Sequence, residues 1–395
     1  MEMARPSLLW IASHLRHPSG HAEEARSTLR ALENLGYEPS AIELSRLDGE
    51  QKTIPMSESE LAMLVRQIER APTDPVVAIH AYTPKPERRY SVPAAANVAR
   101  TMFETDRLPD GWAELLSERD EVWVPSRHNY EVFAEGGVPE ARLKIVGETL
   151  DFDAFTPDAE PMELGAPADR LVFLSNFDFS ERKGWRQLLL AWAKAFDLGD
   201  PVCLVLKTLS VAKWDEDYVR ERILHFLELE FGEGARDRLA PIEILPVRLG
   251  THELPRLYAA ADAYVSPSRG EAWGRTYMEA MAMGLPTVGS RYGGNLDFMT
   301  DDESWLIDGE LVPVSSHAEV LSELYRGHRW FDADVDQLAA VLREIASDPG
   351  AARAKASGAR ARLLAEFGPA PLTDRIVELA AGVLAEAGSG EPSVA

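Results

Sequence analysis

The sequence predicts an α/β fold made of two halves of comparable size, each a parallel sheet wrapped by helices. Three observations predict it. Short apolar runs alternate with segments of helical period along most of the chain, which is the pattern of strand–helix–strand units. That pattern breaks over 149–169, where Pro157, Pro161, Gly165 and Pro167 interrupt any period. A length of 395 residues suggests two or three domains.

Taken in order, Leu8 to Ser13 reads as a buried strand, His14 to Gly20 as a loop and His21 to Leu35 as an amphipathic helix stopped by Gly36. A strand follows over 38–44 and a helix over 57–71, with Leu61, Leu64, Val65 and Ile68 on one face. The segment 76–80 is a strand, 92–99 a short helix and 100–103 a strand; helix, strand and helix then follow at 112–117, 121–125 and 129–135. After the break, 170–174 restarts the pattern as a strand. Helices are expected at 185–196, 216–230, 254–261 and 275–283, and strands at 202–207, 242–247, 263–265 and 286–290. Helices over 335–346 and 352–367 cover the second half. The expected domains are 1–160 and 161–370, with a helix over 371–386 returning to the first and a Gly/Ser-rich disordered tail at 387–395. Open α/β sheets bind ligands at the carboxyl ends of their strands, so the expected site lies where two such sheets face each other across a cleft.

The formal net charge of −24 opposes binding to nucleic acid or to anionic membranes. The lone cysteine, Cys203, forms no intrachain disulfide and sits in an apolar run, which reads as a buried strand residue in a reducing compartment. No stretch approaches membrane-spanning length and no signal peptide is visible, so the expected location is cytoplasmic.

The chemistry concentrates in Ser268-Arg-Gly-Glu-Ala-Trp-Gly-Arg-Thr-Tyr-Met-Glu-Ala-Met-Ala-Met-Gly-Leu-Pro286. Its helix starts at a sheet's ligand edge, so the N–H groups at Gly274, Arg275 and Thr276 suit an anion. Glu271 and Glu279 lie at most about 12 Å apart along such a helix, roughly the span from a sugar to a ribose across a diphosphate. Spacing alone, however, favours an ordinary amphipathic helix with Tyr277, Met278, Ala280 and Met281 in the core and both glutamates solvated.

The same stretch closely resembles the E-x7-E signature of the retaining glycosyltransferases of GT-B fold, above all glycosyltransferase family 4. The flanks agree: Leu257 to Ser268 resembles the family's upstream segment and Ser290 to Phe298 its downstream loop. The resemblance implies two Rossmann-like domains and a nucleotide sugar, UDP- or GDP-linked, as co-substrate, with no cofactor and no metal. It implies that Glu271 contacts the donor sugar, Glu279 the ribose, and the amides of Gly274, Arg275 and Thr276 the sugar and diphosphate. Phe177 to Gly184 resembles the phosphate-binding segment, and Lys183 matches its lysine. Phe177 stands where the family has an arginine, so Arg182 or Lys207 is expected to compensate. The loop His17 to Glu24 resembles the family's glycine-containing first loop; Gly20 lets the backbone approach the diphosphate or acceptor, and Ser19 or His21 is expected to face the acceptor, the alternative being a helix cap and a surface ring. Glu104 stands where the family often has a histidine, and Glu104 or Asp106 is expected to orient acceptor or donor. His80 ends a strand on the ligand side as a further acceptor-side candidate.

No zinc spacing occurs among nine His and one Cys, no Asp-x-Asp sits in a loop suited to a Mg-diphosphate, and no Gly-x-Gly-x-x-Gly follows a strand. The expectation is a metal-independent hexosyltransferase that forms an α-linkage on a soluble metabolite or glycan, with no strong membrane binding. Two other classes remain: a GT-B epimerase or inverting transferase, and a non-catalytic degenerate homologue that binds a nucleotide sugar.

Overall fold

The computed structural model describes residues 6–44, 53–85, 92–209, 216–316, 318 and 322–389. Two compact units emerge, 1–151 with 364–395, and 152–363. The division falls between Asp151 and Phe152, inside the Pro/Gly-rich break.

The first unit holds six parallel strands: β1 (Ser7–Ala12), β2 (Ser40–Glu43), β3 (Val76–Ala81), β4 (Ala96–Arg100), β5 (Glu121–Val124) and β6 (Leu143–Ile145), in the order β2-β1-β3-β4-β5-β6. Helix α1 (Gly20–Asn34) is capped by Ser19, whose hydroxyl accepts from the amide of Ala22, and Gly36 follows it at φ 82°. Helices α2 (Glu58–Glu69), α3 (Trp112–Leu116) and α4 (Arg127–Glu135) complete the N-terminal part.

The second unit repeats the plan with β7 (Leu171–Asp178), α5 (Trp185–Ala195), β8 (Val202–Leu209), α6 (Glu216–Phe231), β9 (Ile242–Leu245), α7 (Leu254–Ala259), β10 (Ala263–Ser266), α8 (Arg275–Ala282), β11 (Thr287–Ser290) and β12 (Trp305–Ile307). All pairings in this sheet are parallel, in the order β12-β11-β10-β7-β8-β9. This is the doubly wound order, with its switch point between β7 and β10. Strands β13 (Gly309–Pro313) and β14 (Arg329–Ala333) form a separate antiparallel pair. Helices α9 (Val335–Ser347), α10 (Pro349–Ala356) and α11 (Ala359–Phe367) follow, and α12 (Pro369–Ser389) ends the described chain.

Helix α12 belongs to the first unit. Its Leu372, Ile376, Leu379, Ala380 and Val383 join Leu8, Trp10, Leu29, Val77, Ile79 and Trp123 in one core. Each such buried Leu or Ile contributes about 1.5–3 kcal/mol, so this helix is a substantial part of that unit's stability. The second core gathers Phe173, Leu188, Trp192, Leu204, Val265, Val288, Leu338 and Leu342. Cys203 is fully buried on β8, and burial pushes its thiol up to about 11, which keeps it a protonated packing group.

Three expectations change. The segment expected as a helix over 92–99 gives way to β4, which starts at Ala96 and ends at Arg100, so no strand runs on to 103. The alanine run there favours a helix, but pairing of Val77 to Ala81 with Ala96 to Arg100 overrides it. The expected helix over 352–367 is broken at Ser357-Gly358 into α10 and α11. The expected tail begins later, because α12 continues to Ser389; residues 390–395 lie outside the described residues. No helix among the described residues is long and apolar enough to cross a membrane.

Candidate active site

The switch point of the second sheet decides where Lys183 and Glu271 meet. The loop after β7 turns through Glu181–Lys183 into α5, and the loop after β10, residues 267–274, turns into α8. Since β7 and β10 are neighbours, these loops lie side by side at the carboxyl ends of their strands. Lys183 Nζ reaches Glu271 Oε1 at 2.5 Å, and Arg182 Nη1 stands 3.5 Å from Glu271 Oε2. Ser268 Oγ donates to Glu271 Oε1 at 2.7 Å. Burial pushes the Glu271 carboxyl up, but the charges of Lys183 and Arg182 and the hydrogen bonds outweigh it, and the net shift is downward. Glu271 is therefore a buried anion held by two cations.

Gly274 caps α8 in the left-handed region at φ 95°, and a Cβ there would meet the Tyr277 ring at 2.7 Å, so glycine is the residue that fits. Met278 N–H donates back to the Gly274 carbonyl. A helix's first N–H groups have no partner within it, and here they start at the sheet's ligand edge. The helix is buried nearly all round, including Arg275 and Glu279, with only Thr276 half-buried. The alternative of a surface helix with solvated glutamates is thus overturned: Glu271 is 8% and Glu279 4% exposed. Buried carboxylates need partners, and Glu279 has one in the Tyr258 hydroxyl at 2.7 Å. Arg275 Nε stands 4.0 Å from Glu279 Oε1. Lys207, half-buried near the end of β8, has its pKa lowered by burial, against which the charges of Glu279 and Asp178 act. Phe177, at the position where the resembling family has an arginine, packs in the core instead. Tyr258, which bonds Glu279 across 21 positions, and Asn176, which bonds Tyr258 across 82, have partners too distant in the chain for local pattern to assign; Ser268, three positions from Glu271, lies in the motif itself.

In the first unit, the loop after β1 is pinned by the buried Arg26, whose guanidinium donates to the Leu15 carbonyl at 2.7 Å. Ser19 is engaged as a cap, while Gly20 and His21 are exposed. The loop after β4 carries Glu104 and Asp106, both half-buried. Asn129 fixes that loop by accepting from the Phe103 amide and donating to its carbonyl, both at 2.9 Å. His80 sits on β3, next to its last residue. Its ring is buried, with Nδ1 3.0 Å from the Tyr82 hydroxyl, Nε2 2.9 Å from Asn97 Oδ1, and Arg119 Nη1 3.2 Å from Nε2. Burial, with the Arg119 charge added, lowers its pKa to about 4 despite the Asn97 bond.

A histidine held neutral in the fold but free to protonate near 6.5 when unfolded contributes stability above pH 6.5, and that contribution is lost as pH falls toward 4. The loss should reach about 3 kcal/mol. Denaturant titrations of wild type and His80→Gln at pH 7 and pH 4.5 check this: the fall in stability should be smaller in the variant, and equal falls would refute it.

Comparison with known proteins bears on the fold and on the segment that carries these residues. Residues 168–326 match the family model described as Glycosyl transferases group 1. The Anabaena protein Alr3699/HepE, solved in complex with UDP, superposes with a TM-score of 0.62 over 95% of this chain and 100% of that one, at 16% identity. Sucrose-phosphate synthase from Thermosynechococcus elongatus superposes with a TM-score of 0.65 over 97% of this chain and 100% of that one, at 20% identity. The fold is that of the GT-B glycosyltransferases. By sequence, the D-inositol 3-phosphate glycosyltransferase of Salinispora arenicola is 32% identical over 231 residues, or 54% of this chain and 50% of that protein. The chain spans about half the length of the curated relatives it matches. In this GT-B chain the matched segment contains Lys183, Lys207, Glu271 and Glu279.

Proposed function

We propose that the chain is a retaining, metal-independent glycosyltransferase of family 4. It moves a hexose-type sugar from a UDP- or GDP-linked donor to an acceptor hydroxyl, with an α-linkage. The observation that carries the reading is the pairing of Lys183 with the buried Glu271 at the start of α8, with Glu279 buried further along the same helix.

Glu271 binds the sugar hydroxyls and Glu279 the ribose. The amides of Gly274, Arg275 and Thr276 face the diphosphate, and Lys183, Arg182 and Lys207 supply the charge that offsets it. When the donor's C1–O bond to the β-phosphate breaks, charge develops on the departing phosphate oxygen. Lys183 and the helix N-terminus stabilise that charge. The acceptor oxygen bonds to C1 on the face the phosphate leaves, and its proton passes to the departing phosphate oxygen. The first unit binds the acceptor at its own strand ends, with Glu104, Asp106, Ser19 and His21 as contacts and Gly20 allowing close backbone approach. The engaged ring nitrogens of His80 favour Glu104 over it. A small soluble polyol or a growing glycan is the acceptor class, and the cytoplasm the location. The name of the Salinispora relative supports a phosphorylated polyol within that class.

A thermal-shift panel of UDP, GDP, ADP, dTDP and their common sugar conjugates tests the donor site. A ligand at a hundred times its dissociation constant should add about 2.7 kcal/mol of stability. One base should give the shift, and Glu279→Ala should abolish it. No shift with any nucleotide would sink the reading.

A further inference from the structure

Glu279 is reached by a directed chain of hydrogen bonds. Asn176, near the end of β7, donates from Nδ2 to the Tyr258 hydroxyl at 3.2 Å. That hydroxyl donates in turn to Glu279 Oε2 at 2.7 Å. The Asn176 carbonyl accepts from the Tyr264 hydroxyl at 3.3 Å, which ties β10 into the same group. Chemistry fixes the direction. An amide N–H only donates and a carboxylate only accepts, so the phenol between them must accept from one and donate to the other. A bond onto an ionised acceptor is among the stronger kinds, and the donor behind it polarises it further.

The phenol is also immobile. Tyr258 and Tyr264 are fully buried, and the Tyr258 ring packs against Phe155 at 6.2 Å and Tyr264 at 5.7 Å between centroids. Burial, reinforced by the Glu279 charge, raises the Tyr258 hydroxyl well above the ordinary phenol range, so it remains a donor at any physiological pH. Helix α8 sets the Cα of Glu279 but not the twist of its carboxylate. A buried phenol anchored on β7 sets that twist, and it does so at the switch point where the sheet places ligands.

We propose that Tyr258 is a positioning residue for nucleotide recognition: it holds Glu279 Oε2 so that the carboxylate meets the ribose hydroxyls of a nucleoside diphosphate with its orientation already set. This rests on the reading that Glu279 contacts ribose. The gain is preorganisation, since a carboxylate that must be oriented on binding loses affinity. The effect is confined to the ribose hydroxyls, and this separates positioning from general support of the fold.

Calorimetry with UDP and GDP, each against its 2′,3′-dideoxy counterpart, makes the distinction. In Tyr258→Phe the ring stays and the hydroxyl goes. Affinity for the ribo form should fall about tenfold, affinity for the dideoxy form should hold, and adding the change to Glu279→Ala should cost nothing further. Asn176→Ser, which removes the donor behind the phenol, should show the same selective loss at about threefold; it carries the comparison if Tyr258→Phe does not fold. Equal losses for ribo and dideoxy forms, or no loss in either variant, would overturn the inference while leaving the nucleotide site intact. If Glu279→Ala keeps the wild-type preference for ribo over dideoxy, the ribose assignment itself is wrong. If wild type binds neither diphosphate, the donor reading fails and this inference with it.

Discussion

Lys183→Ala is expected to lower turnover by about a hundred- to a thousand-fold, the range seen when a preorganised electrostatic contact to developing charge is removed. The measurement is release of nucleoside diphosphate from whichever nucleotide sugar gives the largest thermal shift. The same variant should lose stability for a separate reason. Glu271 is 8% exposed and sits 2.5 Å from the Lys183 ammonium. Removing the cation leaves a buried carboxylate with Arg182, 3.5 Å away, as its remaining cation within ion-pair distance among the described residues. Breaking such a pair from one side costs about 3–5 kcal/mol. The sign with pH should invert. In wild type the Glu271 carboxyl is held low, so its contribution is present above the ordinary glutamate range and is lost as pH falls through the lowered value. In Lys183→Ala burial dominates, the carboxyl moves up, and lowering the pH should relieve part of the damage. The double variant with Glu271→Gln separates the two effects: stability should return and turnover should not. Turnover within threefold of wild type in Lys183→Ala would rule out a role for this lysine in the chemistry.

The sequence showed the alternation of strands and helices and the Pro/Gly-rich break, because both are written in local period and composition. The α8 helix was legible for the same reason: Gly274, the apolar run and Gly284 mark its ends. Its burial was not. Period alone favoured solvated glutamates. The outcome turned on Tyr258 reaching Glu279 from 21 positions away and Lys183 reaching Glu271 from 88. Contacts of that separation leave no trace in a window of a few residues. Strand β4 was misread because its alanines favour a helix locally, while its pairing with β3 is a property of the sheet. The antiparallel pair β13 and β14 was missed entirely. It is held from outside itself, by Phe331 donating to the Arg269 carbonyl, by Arg269 stacking over Trp330 at 4.2 Å, and by Gln187 donating to Asp332. In the candidate site, then, the residue types were visible and their pairing was not.

Gly184→Ala should cost roughly 3 kcal/mol or more, well above an ordinary surface change, for two additive reasons. Gly184 closes the Lys183 turn at φ 65°, a conformation that penalises a side chain by itself. A Cβ there would also fall 1.9 Å from the carbonyl oxygen of Pro267. That atom is backbone, so the clash cannot be relieved by a rotamer change; the loop after β10 must move. Pro267 precedes Ser268, which hydrogen-bonds Glu271, so the displacement reaches the carboxylate. The variant should therefore lose turnover by more than its lost stability predicts at a temperature where it is still folded. Gly20→Ala is the contrast. Gly20 opens α1, a Cβ there would meet no atom within 4 Å, and the position needs no left-handed backbone. Alanine there should leave stability unchanged or raise it by about 0.5 kcal/mol. Any loss of donor or acceptor affinity in Gly20→Ala then reports a ligand lying against that backbone, since the protein itself has nothing for the methyl group to meet. Denaturant titration and ligand affinity measured on both variants distinguish the cases. A Gly184→Ala protein as stable as wild type would show that the two loops are not packed as described, and with them the Lys183–Glu271 pair would lose its structural basis.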